Sequence, residues 1–232
     1  MADSAPIRLA ADVGGTFTDV AAFNETTGEL HLGKSLTTPA HLVSGIAHGV
    51  ARTSARFQAA RLFAHGTTIA INTILERSGA RYALLTTQGF RDIYEIGRVN
   101  RPESYNLFLR RHVPLIERDL RFDISERIDA QGAVLLKLDE AQVRAVVAAA
   151  VAQGVEAIAI LFLHSYRNPA HEQRVKAIIE QEFPQIFVSA SHELSQEYRE
   201  FERTSTAAAN AYVGPRVRQY LTEMETHLDA AG

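Results

Sequence analysis

Apolar and polar positions alternate along the first forty residues in the way that is typical of β-strands. Apolar runs at 7–11 and 20–23 flank a polar, glycine-containing segment at 12–19, and alternation resumes at 29–36 after a turn at 25–28. Paired glycines between two strand-like runs favour a hairpin, because glycine readily takes a positive φ. The pattern therefore predicts three antiparallel strands before the first helix.

Further periodic segments follow along the chain. The pattern predicts helices over 40–59, 69–77, 88–96, 139–153 and 169–182, and strands over 61–65, 81–87, 122–127, 133–136, 155–163 and 186–189. The strands 122–127 and 133–136 are predicted to pair around a turn at 129–132. Residues 97–121 lack a sustained period and are predicted to form a long irregular segment. Residues 191–232 are predicted to be mostly helical, with Gly214 and Pro215 splitting the helix in two.

This order of elements predicts an α/β protein. We expect a mixed sheet with antiparallel first strands and flanking helices, followed by a C-terminal βαβ portion whose two strands are parallel. We divide the chain into residues 1–121, which carry the hairpin and the site loops, residues 122–190, which form the βαβ portion, and residues 191–232, which form linker helices.

Composition narrows the classes of function. The chain has 232 residues and is 46% hydrophobic, which is enough for a sizeable core without disulfides. Its 24 Lys and Arg against 27 Asp and Glu give no basic footprint for nucleic acid, and no apolar run reaches membrane-spanning length. The absence of Cys excludes thiol chemistry and is compatible with the cytoplasm, where we expect the protein to reside.

The segment 12–19 has the chemistry of a phosphate cradle. Gly14 and Gly15 lack a Cβ, so backbone N–H groups can approach an anion, and the hydroxyls of Thr16 and Thr18 can add hydrogen bonds. Neither a Walker motif nor a dinucleotide fingerprint is present, because no Lys follows the glycines and a strand comes next. The alternative, a purely structural hairpin turn, explains the glycines but not the threonines and aspartates.

Asp12 and Asp19 flank this cradle. Magnesium prefers one or two carboxylates together with water and phosphate oxygens. We therefore predict that these two aspartates hold Mg²⁺ or another divalent metal ion and take part in catalysis.

Two later loops are candidate parts of the same site. At the first, Gly66, Thr67 and Thr68 can hold an anion or a carbonyl group, with His65 and Asn72 adding contacts. Along the irregular segment, guanidinium groups can bind an oxyanion, and they belong to Arg91, Arg98 and Arg101. The alternatives are a structural cap at the first loop and solvated or internally paired arginines at the second.

Several of these residues occur together in one known family. The chain resembles, over nearly its whole length, the N-terminal part of the hydantoinase A, 5-oxoprolinase and acetone carboxylase family. The resemblance rests on Asp-Val-Gly-Gly-Thr-Phe-Thr-Asp at 12–19, His-Gly-Thr-Thr at 65–68 with Asn72 and Leu-Glu-Arg at 75–77, Gly-Phe-Arg-Asp at 89–92 with Ile-Gly-Arg at 96–98 and Asn-Arg-Pro at 100–102, and Glu-Arg-Thr-Ser-Thr at 202–206 with Asn-Ala-Tyr-Val-Gly-Pro at 210–215. Ile71 and Thr73 depart from the pattern, whereas Asn72 keeps it.

The resemblance implies the N-terminal lobe of an actin-like, ribonuclease H-like ATPase fold. It also implies that ATP phosphorylates the carbonyl or amide oxygen of a cyclic amide or a ketone, which is then hydrolysed or carboxylated, usually together with a B-type subunit. We assign catalytic roles to Asp12, Asp19, His65 and Arg98. We assign nucleotide binding to Gly14, Gly15, Thr16, Thr18, Gly66, Thr67 and Thr68, and substrate binding to Asn72, Arg91 and Arg101.

The same resemblance implies a missing part. In this fold ATP lies between two lobes, and the second lobe supplies another phosphate hairpin and the adenosine site, neither of which this sequence contains. We therefore expect a fragment that binds nucleotide weakly and turns over nothing by itself. The alternatives are a ketone carboxylase subunit, a carbohydrate or acyl kinase lobe, and a non-catalytic interaction module.

Overall fold

The structure of the chain is a computed structural model, which describes residues 7–38, 41–98, 103–109 and 113–231. The chain forms two compact units, Met1–Ser78 with Arg216–Gly232 and Gly79–Pro215. The boundaries of these units differ from those of the predicted segments 1–121, 122–190 and 191–232. The strand that follows Ser78 pairs with strands later in the chain, and the last turns of the C-terminal helix pack on the first strands.

The first unit is built on a four-stranded mixed sheet. Its elements are β1 (Ile7–Val13), β2 (Phe17–Asn24), β3 (Leu30–Leu36), α1 (Leu42–Ala51), β4 (Ala60–Thr67) and α2 (Ile69–Leu75). The strand order is β3-β2-β1-β4, in which only β1 and β4 are parallel. The structure confirms the predicted mixed sheet with three antiparallel strands at its start.

The core of the first unit lies on one face of this sheet. Leu9, Ala11 and Val13 alternate with exposed residues on β1 and pack beneath α1 and the last turns of the C-terminal helix. The helix lies close to the sheet: a Cβ on Gly33 would come within 2.2 Å of the carbonyl oxygen of Gly49. The alternation that predicts these strands therefore also determines which face is buried.

Helix α1 is shorter than the predicted helix over 40–59. The Thr53 hydroxyl donates to the Val50 carbonyl at 2.7 Å, and Ser54 takes a left-handed φ of 63°. Both features end a helix, because they satisfy its last carbonyls and turn the chain away. The predicted start at Ala40 lies outside the described residues.

The second unit is built on a four-stranded parallel sheet. Its elements are β5 (Tyr82–Thr87), α3 (Ile93–Ile96), β6 (Arg121–Ile124), β7 (Arg127–Ile128), β8 (Val134–Leu136), α4 (Glu140–Ala152), β9 (Ala157–Leu161), α5 (Ala170–Glu182), β10 (Phe187–Ala190), α6 (Ser191–Leu194) and the first turns of α7 (Glu200–Ala231). The strand order is β10-β9-β5-β6, and every residue of β5 and β9 is buried.

The unit β9-α5-β10 confirms the predicted βαβ portion with parallel strands. The predicted pairing of 122–127 with 133–136 is only partly right. The residues of β6 pair with β5 instead, and only the two-residue strand β7 forms the antiparallel pair with β8.

The predicted break at Gly214 and Pro215 is wrong, because α7 is one helix from Glu200 to Ala231. A Cβ on Gly214 would come within 2.3 Å of the Phe187 ring, so close packing explains this glycine. Pro215 lies inside the helix, and Tyr212 before it and Tyr220 after it are both buried. Among the residues that the structure describes, no helix is long and apolar enough to cross a membrane.

Candidate functional site

The hairpin between β1 and β2 is closed by its own backbone. The Gly14 N–H donates to the Phe17 carbonyl at 3.0 Å, and the Thr37 N–H donates to the Thr16 carbonyl at 2.9 Å. Neither Gly14 nor Gly15 has a positive φ, in contrast to the sequence argument. Space explains Gly15 instead, because a Cβ there would lie 3.2 Å from Nδ2 of Asn72.

The hairpin is held in place by a chain of hydroxyl groups. The Thr37 hydroxyl donates to the Gly14 carbonyl at 2.8 Å and lies 3.0 Å from the Thr18 hydroxyl, so Thr18 must be the donor to Thr37. The Thr18 side chain is fully buried under α1. The structure thus gives Thr18 a positioning role beneath the hairpin, while the Thr16 side chain is exposed at its tip.

The two aspartates lie opposite each other on the solvent face of the sheet. Asp12 and Asp19 are directly paired across β1 and β2, and both are exposed. Asp19 is engaged by Lys34, whose Nζ lies 2.8 Å from Oδ1. Within the described ranges Asp12 has no hydrogen bond or ion pair, and its register partner on β4 is Gly66, which has no side chain. Asp12 is therefore the available carboxylate.

The second wall of the site is the junction between β4 and α2. The Thr67 hydroxyl accepts from the Ile69 N–H at 3.2 Å, which satisfies the first N–H group of α2. The Asn72 amide donates to the Thr68 hydroxyl at 3.0 Å, and the Thr68 N–H donates to the Val13 carbonyl at 3.2 Å. These bonds fix Asn72 beside the hairpin between β1 and β2.

His65 lies on the other face of the sheet. Its ring stacks on Phe63 at 5.9 Å between centroids and contacts the ring of Tyr220 at 5.6 Å. His65 pairs in register with the buried Ala11, whereas Gly66 pairs with Asp12. The structure therefore does not bring His65 together with the aspartates, and it supports an aromatic packing role for this residue.

A cleft of about 420 Å³, open to solvent, connects the hairpin with the junction. Its lining includes five predicted site residues and the neighbouring Val13. The five are Gly14, Gly15, Thr67, Thr68 and Asn72. Thr37, Glu76 and Arg216 also line it and were not predicted as site residues. Glu76 belongs to the Leu-Glu-Arg segment on which the resemblance rests, but Arg216 carries no comparable signal, because it is distant in the sequence.

The predicted arginines belong to the second unit, apart from Arg101, which lies outside the described residues. Arg98 forms an ion pair with Glu202, while Arg91 precedes Asp92 at the start of α3. Two hydrogen bonds from Arg118, at 2.8 and 2.9 Å, lower the pKa of the Asp92 carboxyl below its ordinary value. These contacts favour internal pairing, and the oxyanion role of the arginines stays a prediction.

A magnesium ion fits this arrangement only together with a ligand. Across the described parts of the chain, no group of three or more His, Cys, Asp or Glu side chains is placed to hold a metal ion. Magnesium needs only one or two carboxylates when phosphate oxygens and water supply the remaining ligands. The unpaired carboxylate of Asp12, next to a glycine hairpin, satisfies that requirement. The Asp19 carboxylate on the neighbouring strand could be a second ligand only while it also forms its ion pair with Lys34.

A family model described as the hydantoinase/oxoprolinase N-terminal region matches residues 8–183 of the chain. The caprolactamase subunit alpha of Pseudomonas jessenii is 36% identical over 97% of this chain and 34% of that protein. The 5-oxoprolinase of Saccharomyces cerevisiae is 32% identical over 97% of this chain and 21% of that protein. The chain thus spans between 21% and 34% of the length of these curated relatives.

Two solved structures share the fold. The crystal structure of the ATP-dependent caprolactamase from Pseudomonas jessenii matches 97% of this chain and 34% of that chain, with a TM-score of 0.83 at 34% identity. The nucleotide-free structure of an acetone carboxylase, described with ATP-dependent acetone carboxylation, matches 98% of this chain and 35% of that chain, with a TM-score of 0.83 at 27% identity. Both matches confirm the predicted fold class.

Proposed function

Because the chain belongs to the hydantoinase/oxoprolinase family, as its N-terminal region, we propose that it forms one phosphate-binding wall of the ATP site of an ATP-dependent cyclic amidase. The observation that carries this proposal is the cleft between the glycine hairpin and the β4-α2 junction, with the unpaired carboxylate of Asp12 on the adjoining sheet face. Phosphoryl transfer depends on positioned phosphates and neutralised charge more than on a covalent nucleophile.

Each wall of the cleft has its own task in this proposal. The backbone around Gly15 and Thr16 approaches the phosphates, since the Gly14 N–H is already used within the hairpin. The hydroxyls of Thr67 and Thr68 orient the reacting group, and Asn72, fixed by Thr68, donates to a carbonyl or amide oxygen. Asp12 would hold Mg²⁺, which neutralises phosphate charge when bound.

The substrate in this proposal is a small cyclic amide, activated by phosphorylation of its amide oxygen. The 34% to 36% identity with a protein described as an ATP-dependent caprolactamase supports this choice. A ketone carboxylase subunit is the second candidate, supported by the match with acetone carboxylase. We further propose that the complete site needs a second lobe of the same protein and a B-type subunit, and that the reaction takes place in the cytoplasm.

A titration of the ¹⁵N-labelled chain with Mg·ATP, followed by NMR, tests the proposal. We expect weak binding, with shift changes at Gly15, Thr16, Thr68 and Asn72, because half of the ATP contacts belong to another lobe. Asp12→Ala should weaken binding about tenfold, since a charged ligand of the metal ion is lost. The matched control is Asp229→Ala, an exposed aspartate of α7, which should leave binding unchanged.

Two results would contradict this function. A sub-micromolar affinity would show that the chain holds a complete nucleotide site. Unchanged binding in Asp12→Ala would favour a non-catalytic module in which the hairpin serves only the fold.

A further inference from the structure

Arg216 lines the cleft of the first unit from α7 and is held there by neutral groups. Its Nη1 donates to the Ser78 hydroxyl at 2.8 Å and lies 3.3 Å from the Ser78 carbonyl. Ser78 closes the segment after α2, so both ends of this contact belong to the same unit. One edge of the guanidinium group is therefore fixed, and its remaining N–H groups have no partner within the described residues.

The positive charge of Arg216 is not balanced by a carboxylate in the described part of the chain. Arg8 and Arg61 of the same unit, by contrast, both form ion pairs with Glu25. Glu76 lines the same cleft, but no ion pair joins it to Arg216 among the described side chains. An anchored, unpaired guanidinium group in a cleft is suited to binding a carboxylate or phosphoryl group in a planar, bidentate manner.

The other walls of the cleft indicate the chemistry of the rest of the ligand that carries this anionic group. Val13, Leu42 and Ile69 give the cleft an apolar side, while the Asn72 amide and the Thr68 hydroxyl give it a neutral polar side. A ligand that satisfies all three is small and partly apolar, with a neutral polar group and an oxyanion at separate ends.

We propose that Arg216 binds an oxyanion of the ligand in this cleft, which deepens the proposed function and rests on it. The oxyanion has two possible sources, the carboxylate of a carboxylated cyclic amide such as 5-oxoproline or the terminal phosphoryl group of the nucleotide. In the first case Arg216 selects carboxylated lactams over neutral ones. In the second case Arg216 neutralises part of the negative charge of the phosphates, together with the Mg²⁺ that Asp12 would hold.

The experiment compares three ligands and three proteins. NMR titrations of the ¹⁵N-labelled chain use 5-oxoproline, 2-pyrrolidinone, which is the same ring without the carboxylate, and Mg·ATP. The proteins are the natural sequence, Arg216→Gln and Arg218→Gln, an exposed arginine of the same helical turn that does not line the cleft. Amide spectra of the variants confirm that each is folded.

We expect Arg216→Gln to weaken binding of one oxyanion about tenfold, while Arg218→Gln leaves it unchanged. A loss confined to 5-oxoproline identifies the substrate carboxylate, and a loss confined to Mg·ATP identifies the phosphoryl group. Arg216→Lys, which keeps the charge but not the fork of donors, should restore part of the affinity. An equal loss for neutral 2-pyrrolidinone would contradict the proposal, because the effect would then not depend on charge.

Arg216 and the proposed function can fail separately. A natural chain that binds neither 5-oxoproline nor Mg·ATP would contradict both the Arg216 contact and the proposed function. If Arg216→Gln binds both ligands as well as the natural chain does, only the role of Arg216 fails. The response of Mg·ATP binding to Asp12→Ala then still decides the proposed function. Conversely, a nucleotide response lost only in Arg216→Gln, with Asp12→Ala unchanged, would support the oxyanion contact and contradict the metal site.

Discussion

Two of the arginines of helix α7, Arg203 and Arg216, have opposite surroundings. In the second unit, Arg203 is 1% exposed, and its donors reach the hydroxyls of Ser165 and Ser191 and, at 3.0 Å, the carbonyl of Phe162. Burial lowers the pKa of its guanidinium group, and the carboxylate of Glu172 opposes that shift. In the first unit, Arg216 faces a solvent-open cleft, and its hydrogen bonds to described residues go to Ser78.

The same contrast extends to the neighbouring carboxylates. Glu172 is fully buried and accepts hydrogen bonds from the Phe162 N–H, the Ser191 hydroxyl, and the N–H and ring of His192, at 2.7 to 2.9 Å. Asp12 is exposed and has no partner within the described ranges. Within the described residues, Arg203 and Glu172 of the second unit are thus buried among partners, whereas Arg216 and Asp12 of the first unit have no partner of opposite charge.

The largest effect on stability is expected when Arg203 and Arg216 are each replaced by Gln in separate variants. Arg203→Gln should lower the free energy of unfolding by about 3 kcal/mol, because it leaves the buried Glu172 without its cation. Arg216→Gln should change it by no more than about 0.5 kcal/mol, as is usual for surface positions. Urea unfolding followed by circular dichroism measures both. Equal losses in the two variants would remove the distinction between structural and ligand-binding arginines.

Gly214 of the second unit and Gly15 of the first allow the same comparison, with a smaller expected effect on stability. Gly214→Ala places a methyl group within 2.3 Å of the Phe187 ring and should destabilise the chain by about 1–3 kcal/mol through overpacking. Gly15→Ala meets only the Asn72 side chain at 3.2 Å, so it should affect Mg·ATP binding more than stability. Thermal unfolding and the NMR titration separate the two. A Gly15→Ala variant that unfolds as easily as Gly214→Ala would assign both glycines to packing.

Local pattern in the sequence was sufficient for the strands of the first unit. Leu9, Ala11 and Val13 occupy every second position, separated by the exposed residues Ala10 and Asp12, and this alternation gives both the strand and its buried face. The same two-residue alternation also indicates which polar side chains of these strands face the core. Thr18 is in phase with the buried Val20, so its hydroxyl belongs to the core side, and His65 is likewise in phase with Phe63.

Long-range packing explains what the sequence could not show. Arg203 looks like a member of a solvated helical face, because its partners Ser165 and Ser191 lie far away in the sequence. The break predicted at Pro215 follows a sound local rule, but tertiary packing of the helix overrides it. Arg216 lines the cleft only because the end of α7 packs in the core of the first unit.

The smallest effect concerns an exposed ion pair of the second unit, which is neither buried nor left for a ligand. Hydrogen bonds from Arg174 at 2.7 and 2.8 Å, and from Arg144, lower the pKa of Glu140 to about 2. Because the folded pKa lies below the unfolded one, this contribution to stability is present above pH 4.5 and is lost as the pH falls towards 2.

Arg174→Gln should therefore raise the titration midpoint of the Glu140 carboxyl towards its ordinary value of 4.5, as measured by ¹³C NMR. Stability at neutral pH should hardly change, since exposed pairs are screened by solvent and salt. The control is Arg81→Gln, a second exposed arginine of this unit that does not contact Glu140. A large loss of stability at neutral pH in Arg174→Gln would mean that charge pairing, and not burial, distinguishes Arg203 from Arg216.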